Sequence, residues 1–186
     1  MKKNIGGKSM RVIVSGGGTG GHIYPALAIA ERILEDIPGS EVLYIGCDNG
    51  LENNIVPTTN IPFKTISAKG LPRKLTPALV KSVLVNAKGV LEAKKYIKAF
   101  KPDLVIGTGG FVCGPTVLMA CMSHIPAMIH EQNAYPGMTN RMLSTRVNKV
   151  LINYPEAAKF FVKAKETVLT GLPVREDIGK ISKEDG

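Results

Sequence analysis

Arg11-Val12-Ile13-Val14-Ser15-Gly16-Gly17-Gly18-Thr19-Gly20-Gly21-His22 passes from a short apolar run straight into glycine. Residues 23–37 then repeat apolar side chains at helical spacing, with Pro25 expected in the first turn, where a missing N–H costs nothing. A strand, a tight loop and a helix start follow in that order. Such a junction turns backbone N–H groups and the positive end of a helix dipole outward, and its five glycines let an anionic group reach the backbone without meeting a Cβ. The expected guest is a phosphate or diphosphate. Gly16, Gly18 and Gly21 also satisfy the G-x-G-x-x-G spacing of dinucleotide-binding folds, and Asp48 stands where a ribose-binding acid would. A nucleotide-binding Rossmann domain is therefore one reading, and it predicts NAD(P) binding. Two features fit it poorly: His22 places a titratable group directly after the last glycine, and a second glycine loop, Gly107-Thr108-Gly109-Gly110-Phe111, follows a later strand.

Outward from that junction, strand-like runs fall at residues 12–14, 42–45, 63–66, 104–106, 127–129, 150–152 and 167–169. Helical patterns occupy 25–36, 76–98, 115–123, 138–144 and 155–162 between them. Short apolar strands alternating with helices predict an α/β fold, a Rossmann-like parallel sheet with helices on both faces. Ligands of such sheets bind beyond the carboxyl ends of the strands. Both glycine loops and the tetrapeptide His130-Glu131-Gln132-Asn133 lie at that end, so three loops distant in sequence are expected to share one crevice. At 186 residues and 44% hydrophobic content, one sizeable core is the expectation. Cys47, Cys113 and Cys121 are odd in number and lack C-x-x-C spacing, which argues against a disulfide framework or zinc site and for a reducing compartment. No apolar run reaches the length of a bilayer span, and no signal-peptide pattern opens the chain.

Four segments carry a resemblance: Gly17-Gly18-Thr19-Gly20-Gly21-His22, Gly109-Gly110-Phe111-Val112-Cys113-Gly114-Pro115, His130-Glu131-Gln132-Asn133 with Gly137 and Asn140, and Gly171-Leu172-Pro173-Val174-Arg175. In this order they resemble the MurG family of peptidoglycan glycosyltransferases. The resemblance implies transfer of N-acetylglucosamine from UDP-GlcNAc to lipid I, the undecaprenyl-diphosphate-linked muramyl-pentapeptide, to give lipid II. It implies the N-terminal half of a GT-B fold, in which two Rossmann-like domains face each other across a cleft. Residues 10–175 are then the acceptor-side domain, 1–9 a disordered tail or expression remnant, and 176–186 the start of an interdomain linker. The C-terminal domain, which in the family supplies most donor contacts, is expected as a missing partner, and little turnover is expected without it. The family also implies a site at the cytoplasmic face of the cell membrane. Neither a metal nor a cofactor is expected, since GT-B chemistry generally stabilises the leaving diphosphate with dipoles and side chains.

Under that resemblance His22 is the catalytic general base, taking a proton from the acceptor hydroxyl as it attacks the anomeric carbon while UDP leaves from the opposite face. A positioned base contributes about 10²- to 10⁴-fold, and histidine is the side chain whose charge changes nearest neutral pH. Thr19, Gly20, Gly21, Asn133 and Arg175 are the expected substrate contacts. Gly18, Gly109, Gly110 and Asn140 are assigned to the acceptor diphosphate or sugar. The resemblance implies that Tyr and Ser also occur at the positions of Phe111 and Cys113, and neither of these two residues offers such a hydroxyl. Four adjacent polar side chains at a buried strand end imply partners, because leaving such groups unpaired costs about 1–3 kcal/mol each.

Charge is uneven along the chain. The formal balance is +9, and between Lys69 and Lys101 only Glu92 offsets Lys69, Arg73, Lys74, Lys81, Lys88, Lys94, Lys95, Lys98 and Lys101. Val80, Val83, Leu84, Ala87, Val90 and Leu91 share one helical stripe and are expected to face the core. Leu75, Leu79 and Val85 then lie among Lys74, Lys81 and Lys88, and this mixture predicts an anionic membrane surface as partner, with each nearby cation adding about 1 kcal/mol. Nucleic acid is not expected, since no binding motif is present and Trp is absent. A noncatalytic acceptor-binding subunit would use the same surfaces and stays open beside the transferase reading.

Overall fold

The computed structural model describes residues 8–72, 74 and 76–174; Leu75 and Arg175 lie outside them. Strands β1 (Arg11–Gly16), β2 (Glu41–Cys47), β3 (Phe63–Ile66), β4 (Leu104–Gly109), β5 (Ala127–Glu131), β6 (Lys149–Ile152) and β7 (Thr167–Leu169) form one sheet in the order β3-β2-β1-β4-β5-β6-β7. Every pairing is parallel. The chain steps outward from β1 to β3 and then returns to place β4 on the other side of β1. This reversal leaves a switch point between β1 and β4, at the ends of the two glycine-bearing strands.

Helices α1 (Gly20–Asp36), α2 (Glu52–Ile55), α3 (Pro77–Phe100), α4 (Cys113–Met122) and α5 (Met138–Leu143) connect the strands. Alternation along β1 divides the core. Val12 and Val14 pack with Ile23, Leu27, Val42 and Tyr44 on the α1 side, while Ile13 joins Leu43, Ile45, Ala93, Ile97, Val117 and Ile129 on the α3 and α4 side. Each such buried aliphatic side chain contributes about 1.5–3 kcal/mol relative to exposure.

All seven expected strands are present. The helices depart in three places. α1 begins at Gly20, so Pro25 sits beyond the first turn and withholds the N–H that would pair with the Gly21 carbonyl. The expected helix over 155–162 is instead a 3-10 segment, Pro155–Phe160, and the short α2 has no counterpart among the expected elements.

The largest correction concerns α3. Its buried residues are Ser82, Gly89, Ala93 and Ile97, and of the stripe expected inside only Val90 packs against the core, while Val80 is 62%, Leu84 65% and Leu91 67% exposed. Leu79 and Val85, expected at the outer face, are half-buried. Close approach explains the inversion. A Cβ on Gly89 would collide with the Ser67 carbonyl, Asn86 bonds both Lys69 backbone groups, and Glu92 accepts the Ser67 N–H at 2.6 Å. The inward face is therefore small and polar through Ser82, Asn86 and Gly89 and turns apolar at Ala93 and Ile97.

Candidate active site

The loops after β1, β4 and β5 meet at the switch point. Gly17 donates its N–H to the Gly109 carbonyl at 3.3 Å, and Gln132 Nε2 donates to the Thr108 carbonyl at 2.6 Å. Gly110, at φ +81°, lies so close to Gly17 that a Cβ would collide with the Gly17 carbonyl. Thr108 Oγ1 donates to the His22 carbonyl at 2.7 Å, tying the second loop to the first turn of α1.

His22 is half-buried at this junction. Its Nδ1 lies 3.2 Å from the Gly17 carbonyl oxygen and 3.1 Å from Thr19 Oγ1. A carbonyl oxygen only accepts, so this contact assigns the proton to Nδ1 and the lone pair to Nε2. Among the described residues nothing bonds Nε2. Gly109 gives the ring its space: its φ is +106°, and a Cβ there would come within 2.7 Å of His22 Cδ2 and 3.0 Å of Nε2. Gly109 is buried beneath the ring rather than turned toward the cleft.

Glu52, at the start of α2, is completely buried, and no motif flagged it. One carboxylate oxygen accepts the Cys47 N–H at 2.8 Å, and the other accepts the Gly18 N–H at 3.0 Å. The carboxylate occupies the space that side chains on Gly17 or Gly50 would need. The expectation that Gly18 contacts the acceptor diphosphate is thus corrected for its amide, which Glu52 already holds. Thr19 and Gly21 remain exposed at the start of α1, with Gly20 half-exposed beside them.

The third loop is organised by Glu131, which is 1% exposed. One oxygen accepts both the backbone N–H and Nδ2 of Asn133, and the other accepts the Gly137 N–H at 3.1 Å and Asn140 Nδ2 at 2.9 Å. Asn140 is 2% exposed and also donates to the His130 carbonyl. Asn140 thus braces the loop through Nδ2, while its Oδ1 has no hydrogen-bond partner among the described residues. Asn133 is exposed and faces a cleft of about 870 Å³ that begins at His22. His130 is buried, with Nε2 2.9 Å from the Gly171 carbonyl, and burial pushes its pKa down. Cys113 is buried nearby, its thiol pushed up to about 12 by desolvation, so it offers no thiolate near neutral pH.

Comparison with known proteins places these features in a family. The chain is 54% identical over 177 residues, 95% of its length, to a Desulfitobacterium hafniense (strain Y51) protein named UDP-N-acetylglucosamine--N-acetylmuramyl-(pentapeptide) pyrophosphoryl-undecaprenol N-acetylglucosamine transferase. An Alkaliphilus oremlandii protein of the same name is 50% identical over 173 residues. The chain covers 48% and 47% of those two proteins, so it spans about half their length. The crystal structure of Acinetobacter baumannii MurG superposes with a TM-score of 0.75 at 33% identity, over 90% of this chain and 47% of that one. A UDP co-structure of Staphylococcus aureus MnaA shares the fold at 15% identity and a TM-score of 0.66, over 88% of this chain and 44% of that one. The model of the glycosyltransferase family 28 N-terminal domain matches residues 12–152, and the chain belongs to that family.

Proposed function

We propose that this chain is the acceptor-side half of an inverting N-acetylglucosaminyltransferase that uses UDP-GlcNAc as donor and lipid I as acceptor. The observation that carries the reading is the His22 ring, with its proton held on Nδ1 by Gly17 and its Nε2 lone pair unpartnered at the cleft. A hydroxyl of the acceptor sugar transfers its proton to Nε2 while its oxygen bonds the anomeric carbon. The bond from that carbon to the UDP oxygen breaks on the opposite face, and UDP leaves with the electron pair. The Gly17 carbonyl stabilises the imidazolium that forms. The amides of Thr19, Gly20 and Gly21 open α1 and, with Gly110, are assigned to substrate diphosphate, where an anion at a helix start gains about 0.3–1 kcal/mol. Asn133 and Arg175 remain assigned to substrate.

The domain occupies residues 10–175 and leads through 176–186 into a second domain that supplies the donor site. The membrane partner belongs to the same proposal, with a changed surface. Val80, Val83, Leu84 and Leu91 form the apolar stripe, flanked by exposed Lys74, Lys81 and Lys88, and it meets the cytoplasmic face of the cell membrane as a peripheral contact. No helix among the described residues is long and apolar enough to cross a membrane. Labelled GlcNAc incorporation into a lipid I analogue tests the reading, using the chain alone and the chain joined to its C-terminal half. Transfer only by the joined form supports it. No transfer by a folded, complete protein overturns it.

A further inference from the structure

The geometry points to a subsite for the peptide of the acceptor in the cleft between α5 and the Pro155–Phe160 segment, where Arg141 and Lys163 receive its carboxylates. This rests on the acceptor reading above and adds a part of the substrate that the glycine loops do not explain. The cleft starts at His22 and Asn133, is walled by Met138, Met142 and Phe160, and carries Arg141 and Lys163 along its length. Its volume of about 870 Å³ is large for the muramyl sugar alone. Small-molecule sites run to about 1,000 Å³ when they hold ligands several times larger than one ring.

Charge and chemistry narrow the occupant. Neither Asp nor Glu lines the cleft, and Arg141 and Lys163 enter no ion pair among the described residues. The Arg141 guanidinium lies 5.8 Å from the centroid of Phe160, whose ring is held edge-on to Tyr135 at 5.0 Å. A guanidinium beside an aromatic ring offers a planar fork suited to a carboxylate. In a muramyl group the peptide hangs from the ring carbon next to the hydroxyl that is glycosylated, whereas the diphosphate is attached across the ring. A hydroxyl at His22 Nε2 therefore sends the peptide into the cleft that His22 lines and leaves the diphosphate to the α1 amides. A pentapeptide carries at least its terminal carboxylate, and methionine walls adapt to aliphatic side chains.

The test uses the complete enzyme with Arg141→Gln, Lys163→Gln and the double substitution. Each is assayed on a short-chain muramyl-pentapeptide diphosphate and on the same diphosphate lacking the peptide, with calorimetric binding of both. The expected result is a loss of affinity and kcat/KM about tenfold larger on the peptide-bearing acceptor, equivalent to about 1.4 kcal/mol, carried in KM, with donor KM unaffected. Arg141→Lys restores part of it. Equal losses on both acceptors assign the cations to the diphosphate and overturn the subsite, as does an unchanged preference. Acceptor that binds without any transfer overturns the transferase reading instead, and the binding difference then still decides the subsite.

Discussion

A carbonyl five residues earlier in the chain determines which nitrogen of His22 is basic. Loop geometry thus does for this ring what a carboxylate does in many base-orienting pairs. Glu52 serves the same loop from beneath. Glu52→Ala leaves the Cys47 and Gly18 N–H groups unpaired and is expected to cost about 2–4 kcal/mol, read as a lower midpoint in urea; a midpoint equal to wild type contradicts the bracing role. His130 gives a pH signature. Its pKa is lowered by burial, so the unfolded chain takes up a proton first as pH falls below the ordinary value of about 6.5. The stability associated with neutral His130 is present above that pH and is lost as pH drops toward the folded value. Thermal melts between about pH 8 and 5 should slope less for His130→Gln than for wild type, whereas parallel curves would remove His130 as the cause.

α3 shows how a helix is misread. Its apolar residues repeat at 80, 83, 84, 87 and 91, a spacing that normally marks the core, yet the buried stripe is 82, 89, 93 and 97. Periodicity finds the faces of a helix and does not say which one a neighbour can approach. Gly89 against the Ser67 carbonyl and Asn86 and Glu92 on the preceding loop decided that, and these contacts are tertiary. Strands were legible because β-branched runs buried on both faces have no such ambiguity. Leaving Val80, Leu84 and Leu91 in water forgoes about 1.5–3 kcal/mol each, a cost that insertion at the proposed lipid surface would recover. Replacing the three by Ser should reduce binding to vesicles containing anionic lipid by about tenfold or more without lowering the melting temperature. Undiminished binding would move the membrane contact elsewhere.

At the scale of the whole domain, the parallel sheet and the convergence of three loops followed from glycine placement and strand order in sequence. The supports of the site did not. Glu52 belongs to no motif, and Asn140 entered only as an implied acceptor contact, because burial of a polar side chain leaves no local pattern. The switch point lies between β1 and β4, and under the proposed function it sets His22 between the loops that hold the acceptor and the cleft where a second domain would present the donor. The most direct measurement is therefore GlcNAc transfer by the complete enzyme carrying His22→Ala. A fall in kcat of about 10²- to 10⁴-fold with both substrate KM values little changed is the predicted result. A rate within about twofold of wild type contradicts the assignment of His22 as base.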